Sequence, residues 1–128
     1  MGQYFQIFNT DKMQKLNPQM FGDGMKFREF GPSGYGTMYG LSVLMRKSTE
    51  GGGGDFNVQH GLADLLIGSW VGDRISIVGD YDEDAKDFWD NPDYVDISND
   101  VGELLSKGDS YFKDRMDKYK ELMSNAGI

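Results

Sequence analysis

Polar and apolar residues alternate along the first segment. In QYFQIFN, residues 3–9, Phe5 and Ile7 fall on one face and Tyr4, Gln6 and Phe8 on the other. This is the period of a strand. Asn9-Thr10-Asp11 supplies turn residues, and KMQKL at 12–16 returns as a hairpin partner until Asn17-Pro18 breaks it. After the turn Phe21-Gly22-Asp23-Gly24, Met25 and Phe27 alternate with Lys26 and Arg28, which predicts a third strand ending near Phe30. Gly31-Pro32-Ser33-Gly34-Tyr35-Gly36 reverses the chain, and Thr37 is placed to cap a helix carrying Met38, Leu41, Leu44 and Met45 on one side. Gly40 inside that helix costs about 1 kcal/mol relative to alanine, which points to a close packing contact.

Further along, GLADLLIGSW at 61–70 predicts a short helix or turn with Leu62, Leu65, Leu66 and Ile67 inward and a bend at Trp70. ISIV at 75–78 reads as a strand ending at Gly79-Asp80-Tyr81, and residues 94–97 as a short last strand. Ser98 or Asn99 caps a brief helix through Leu104 and Leu105 that stops at Gly108. The best helix spans 109–124, where Phe112, Met116, Tyr119 and Met123 recur every three or four residues. The expectation is an α+β fold: a small antiparallel sheet of about four or five strands, with helices packed on one face and the longest of them C-terminal. Residues 1–128 form one domain, with no internal repeat or linker.

Composition narrows the chemistry. A chain of 128 residues with 38% hydrophobic and 13% aromatic residues can build one core. With no cysteine, thiolate catalysis, disulfides and Cys-ligated zinc are excluded. The start MGQYFQIFNTDK lacks the basic and apolar regions of a signal peptide, Gln6 spoils a myristoylation motif, and no apolar run approaches a membrane span. The expected location is cytoplasmic, that of the host cell if the protein is phage-encoded.

The net charge of −8 is concentrated in one block. Residues 80–103 hold ten acids (Asp80, Asp82, Glu83, Asp84, Asp87, Asp90, Asp93, Asp96, Asp100 and Glu103) against Lys86 alone, whereas acids and bases nearly balance elsewhere. Such a block repels phosphates, so direct nucleic-acid binding is disfavoured and a basic protein surface is the natural partner.

Several constellations invite a catalytic or ligand-binding reading. Gly31 to Thr37 stands between a candidate strand and a helix N-terminus, the arrangement that cradles phosphates. The spacing of Gly31, Gly36 and Thr37 imitates a P-loop, but the lysine before the threonine is missing, so a structural turn is preferred. The alternative is a nucleotide or small phosphorylated-ligand binder using Gly34, Gly36 and Thr37, with Lys26 or Arg28 nearby. His60 is the sole histidine and has no triad partner or second imidazole in sequence, only Asp55 and Asp64 nearby. A metal-dependent hydrolase built from His60, Asp73, Asp80 and Asp82 is a further alternative, although Asp73 beside Arg74 more often fixes a turn. Asp80, Asp82 and Asp84 match the start of a calcium loop, but Ala85 replaces its glycine and Asn91 its final glutamate. Neither a metal nor a cofactor is expected. Phe88 and Trp89 either present an aromatic anchor framed by acids or plug into the core and leave the acids outside.

The segments FGDG (21–24), Lys26, EFG (29–31), SGYGT (33–37), GSWVGDR (68–74) and IVGDY (77–81) resemble a family of small uncharacterised bacterial and phage proteins with these landmarks in this order. The resemblance covers the first two thirds of the chain, with YVDIS at 94–98 a further match. It implies no activity and no catalytic residue. Small size, segregated negative charge and the phage members together suggest a non-enzymatic, anti-CRISPR-like inhibitor of a bacterial defence system. Its acidic surface would block the basic nucleic-acid site of a host protein, possible partners being a CRISPR effector or another nucleic-acid-binding defence protein. The partner-binding residues expected are Asp80, Asp82, Glu83, Asp84, Asp87, Trp89, Asp90 and Asp93.

Overall fold

A computed structural model describes residues 2–48, 52–58 and 61–126; His60 lies outside them. Strand β1, Phe5–Asn9, pairs antiparallel with β2, Gln14–Leu16, through the expected hairpin. The Asn9 carboxamide oxygen closes the turn by accepting the amides of Asp11 and Lys12 at 3.0 and 2.8 Å. Strand β3, Ile75–Gly79, runs antiparallel along the other side of β1, and β4, Val95–Asp96, adds to β2. The sheet order is β3-β1-β2-β4. Because β4 is parallel to β2, the sheet is mixed rather than wholly antiparallel. The fold class is α+β.

Six helices accompany the sheet among the described residues: α1 Phe27–Phe30, α2 Thr37–Met45, α3 Gly61–Leu66, α4 Ala85–Trp89, α5 Ser98–Gly108 and α6 Ser110–Asn125. The longest is C-terminal, as its apolar stripe predicts, with Phe112 and Met116 buried. Asp109 caps it by accepting the amides of Tyr111 and Phe112. Its other oxygen accepts the Tyr39 hydroxyl at 2.7 Å, tying α2 to α6. Burial and this hydrogen bond push the Tyr39 phenol well above its ordinary range.

The expected strand over Met25–Phe30 is a helix instead. Met25 is still extended enough for its carbonyl to accept the Phe5 amide at 2.9 Å. The Glu29 carboxylate then bonds back to the Lys26 amide at 3.0 Å and starts a helical turn. That turn brings Phe27 and Phe30 together at three-residue spacing, the first edge-on to Phe5 at 5.8 Å and the second tilted against it at 6.2 Å. Alternation over four residues could not separate these outcomes, because the cap and the aromatic contact lie outside the period.

The main core joins Ile7, Leu16, Phe21, Phe30, Leu44, Trp70, Val101, Leu104 and Phe112. Helix α2 forms where expected but rotated: Thr37, Gly40, Val43 and Leu44 are buried, while Met45 is exposed. A Cβ on Gly40 would lie 3.0 Å from Phe21 and 3.1 Å from Val101, the close contact its position suggested. In α3, Leu66 packs inward but Leu65 is 73% exposed, since consecutive residues on a helix point about 100° apart and the buried face here runs through Ala63 and Leu66.

One helix lies on the opposite face of the sheet. Ile7 and Phe8 are neighbours on β1 and both fully buried, so each face of the strand requires a cover. Helix α4 and Tyr94 provide the second, packing Phe88, Trp89 and Tyr94 against Phe8 and Val78. This placement carries the first part of the acidic block, Asp80 to Asp93, beneath the sheet, whereas Asp100 and Glu103 lie on α5 in the main helical layer. No described helix is long and apolar enough to cross a membrane.

Candidate interaction surface

The acidic block starts where β3 stops. Asp82 turns back so that its carboxylate accepts the Gly79 amide at 3.0 Å, and Asp80 accepts the Tyr4 amide at 3.0 Å. Helix α4 follows, and its two aromatics turn toward the sheet. Phe88 lies 5.3 Å from Phe8 and 5.9 Å from Tyr94, and Tyr94 meets Phe8 edge-on at 5.1 Å. The Trp89 indole donates to the Val78 carbonyl at 3.1 Å. These rings hold the segment down, as the core-plug reading expects.

The acids do the reverse. All ten carboxylates from Asp80 to Glu103 are exposed. The carboxylates of Glu83, Asp84, Asp87, Asp90 and Asp93 make no hydrogen bond or ion pair among the described residues, although the backbone amide of Asp93 donates to the Asn91 side chain. Asp80, Asp82, Glu83, Lys86, Trp89 and Asp90 line a shallow open cavity of about 340 Å³. Of the eight residues expected to meet a partner, Asp80, Asp82, Glu83, Trp89 and Asp90 share this cavity, Trp89 from a half-buried position, while Asp84, Asp87 and Asp93 lie outside its lining.

The calcium-loop resemblance does not become a site. Two of the three matching carboxylates, Asp80 and Asp82, are committed to backbone amides. No group of three or more acidic or imidazole side chains suited to a metal occurs among the described residues. Nor does the hydrolase set assemble there. Asp73 lies before β3 and Asp80 after it, roughly 20 Å apart at the rise of a strand.

Asp73 and Arg74 instead clip the hairpin turn. Asp73 accepts from Asn9 at 2.8 Å and Lys12 at 2.6 Å, and Arg74 meets Asp11 at 3.1 Å. The Asn9 hydrogen bond, followed by that of Lys12, holds the Asp73 carboxyl below its ordinary range.

At the glycine-rich turn, an anion already sits on the helix N-terminus, and it belongs to the chain. Asp23, a residue the sequence reading passed over, directs one carboxylate oxygen at both the Thr37 amide and the Thr37 hydroxyl, 2.7 Å from each. Its other oxygen accepts from Arg115 of α6 at 2.8 Å. The same guanidinium donates to the carbonyls of Phe21 and Tyr35 at 2.6 and 2.8 Å. A Cβ on Gly36 would collide with the Asp23 carboxylate, so this glycine admits a side chain of the protein where a phosphate would otherwise approach. Gly34 stands in open space. The signal available in sequence was an acid between two glycines, Gly22-Asp23-Gly24, but its arginine lies 92 residues away.

No family model matches this chain, and neither a curated protein nor a solved structure matches it.

Proposed function

We propose that this protein is a non-enzymatic interaction module whose acidic ledge, Asp80 to Asp93, docks onto a basic nucleic-acid-binding surface of another protein. The observation that carries this reading is the separation of roles within the block: its aromatics turn inward, and five of its carboxylates are left without partners among the described residues. An array of unpaired acids on a segment anchored by rings is held in place for arginines and lysines, and gives fast, salt-sensitive association. Together with the resemblance to small bacterial and phage proteins, this favours an inhibitor of a host defence system, of which a CRISPR effector is the leading target.

The test measures binding of the purified protein to a panel of purified CRISPR effectors and other nucleic-acid-handling defence proteins. The expected result is a complex that weakens with rising salt and is displaced by nucleic acid. Reversing Asp82, Asp84 and Asp87 together to lysine should abolish it while the circular dichroism spectrum stays unchanged. A complex unaffected by the triple reversal would remove the ledge from the interface.

A further inference from the structure

We propose that β3 is the seam of a homodimer in which two copies add edge to edge, antiparallel about a two-fold axis. Ile75 of each copy stands opposite Ile77 of the other, and Ser76 faces Ser76 across the axis. This inference does not rest on the acidic-ledge reading, although it also uses Asp80, the first residue of the ledge.

Among the described residues β3 ends the sheet, with β1 as its sole strand neighbour. The hydrogen bonds at either end of the ladder fix its phase: the Thr10 amide donates to the Arg74 carbonyl at 3.0 Å, and the Asp80 amide to the Tyr4 carbonyl at 2.9 Å. Directly opposed residues of an antiparallel pair bond each other only at every second position. Ser76 and Val78 therefore spend their backbone groups on Phe8 and Gln6, and Ile75, Ile77 and Gly79 turn theirs to the open side. Asp82 takes the Gly79 amide. The amides and carbonyls of Ile75 and Ile77 remain, with no partner among the described residues.

Proteins commonly blunt such an edge with proline, an inward charge or a bulge. The run Ile75-Ser76-Ile77-Val78 contains none of these. Next to it lies an open, mainly apolar cavity of about 560 Å³ lined by Phe27, Phe30, Pro32, Met38 and Ile77, with Arg28 as the one charged residue among its described lining. Phe27 is 53% exposed and Ile77 40% exposed. The edge thus combines unpaired backbone with a ledge of uncovered apolar side chains.

A second copy fits this edge because the strand is complementary to itself. The register above uses the free residues in two reciprocal hydrogen-bonded pairs and leaves the amide already held by Asp82 alone. It also aligns charge. Each strand is preceded by Arg74 and followed by Asp80, so reversing one against the other sets Arg74 diagonally from Asp80 of the second copy, within reach of a long side chain. The Arg74 side chain is 86% exposed and pairs with Asp11 through Nε and Nη2, leaving Nη1 unused. Pairing would extend the sheet through the axis and cover Ile77 and Phe27.

Sedimentation velocity of the full chain over rising concentration should show a monomer–dimer equilibrium. Ile77→Pro deletes an amide that gives nothing to β1, so the monomer ladder persists while self-association weakens by more than tenfold. The chain has no cysteine, which makes Ser76→Cys a single-thiol probe. Opposed residues of a non-hydrogen-bonded pair have Cα atoms about 4.5 Å apart, within disulfide range. Mild oxidation should therefore cross-link Ser76→Cys far faster than Ser124→Cys, an exposed control on α6. Equal cross-linking rates, or a wild type that stays monomeric at every concentration, would overturn the proposal. A monomer that instead takes up an extended peptide at this edge would assign the seam to another partner and also overturn it.

Discussion

Two acidic sites in this molecule use the same functional group in opposite ways. The Asp23 side chain is 2% exposed, and its two oxygens are met by an amide, a hydroxyl and a guanidinium. The carboxylates of the ledge are exposed, and five of them meet nothing that the described chain supplies. A buried charge persists only when every lone pair is answered, so Asp23 fixes how the glycine turn, α2 and α6 meet. An exposed charge is answered by water and exchanges that water readily for a partner. Net charge alone would have assigned both sites to the surface. The difference lies in what surrounds each acid.

Breaking the buried site should have the largest effect. Arg115→Met leaves Asp23 charged and without its counter-ion, and the unfolding free energy measured in urea should fall by about 3–5 kcal/mol. Adding Asp23→Asn to that variant should recover part of the loss. A double variant as unstable as the single would show that Arg115 acts mainly through its carbonyl contacts at Phe21 and Tyr35.

The ledge is anchored by its aromatic underside, and Phe88→Ala tests that anchor. Truncating a fully buried phenylalanine costs about 3–5 kcal/mol, and this half-buried ring should cost about 2 kcal/mol. The same variant should weaken partner binding even though every carboxylate is retained, because the segment that positions them loosens.

Neutralising the ledge itself should hardly affect folding. Asp84→Asn, Asp87→Asn and Asp90→Asn should each change stability by about 0.5 kcal/mol or less. The three together should raise the melting temperature slightly at low salt, where self-repulsion is least screened. A large loss of stability would place these acids with Asp23 and end the contrast.

The smallest effect concerns Asp73. Its carboxyl titrates below the ordinary value of 3.8 because Asn9 and Lys12 bond the ionised form. The clip it makes is therefore intact above the usual carboxylate range, and its contribution to stability is lost as pH falls through the lowered folded value. Carbon-detected NMR of the Asp73 carboxyl should show a midpoint below 3.8, and Lys12→Ala should move it upward.

Much of the fold was legible because its signals are local. The β1–β2 hairpin follows from seven alternating residues and an Asn-Thr-Asp turn, and α6 from a stripe of four residues spaced three or four apart. The segment Met25–Phe30 misled because alternation over so few residues is also compatible with a helical turn once Glu29 caps Lys26. The ledge was visible as charge, and the inward turn of Phe88 and Trp89 was one of two readings that composition alone left open. Asp23 was missed because its meaning depends on Arg115, a contact between distant parts of the chain.

By itself the sequence determined the elements with periodic faces, the absence of thiol chemistry and the position of the negative block, since each depends on nearest neighbours along the chain or on composition. The tertiary structure decided which acids are buried and which are free, that α4 covers the second face of β1, and that β3 is left as an open edge. Those outcomes depend on burial and on partners far apart in sequence, which no local pattern encodes.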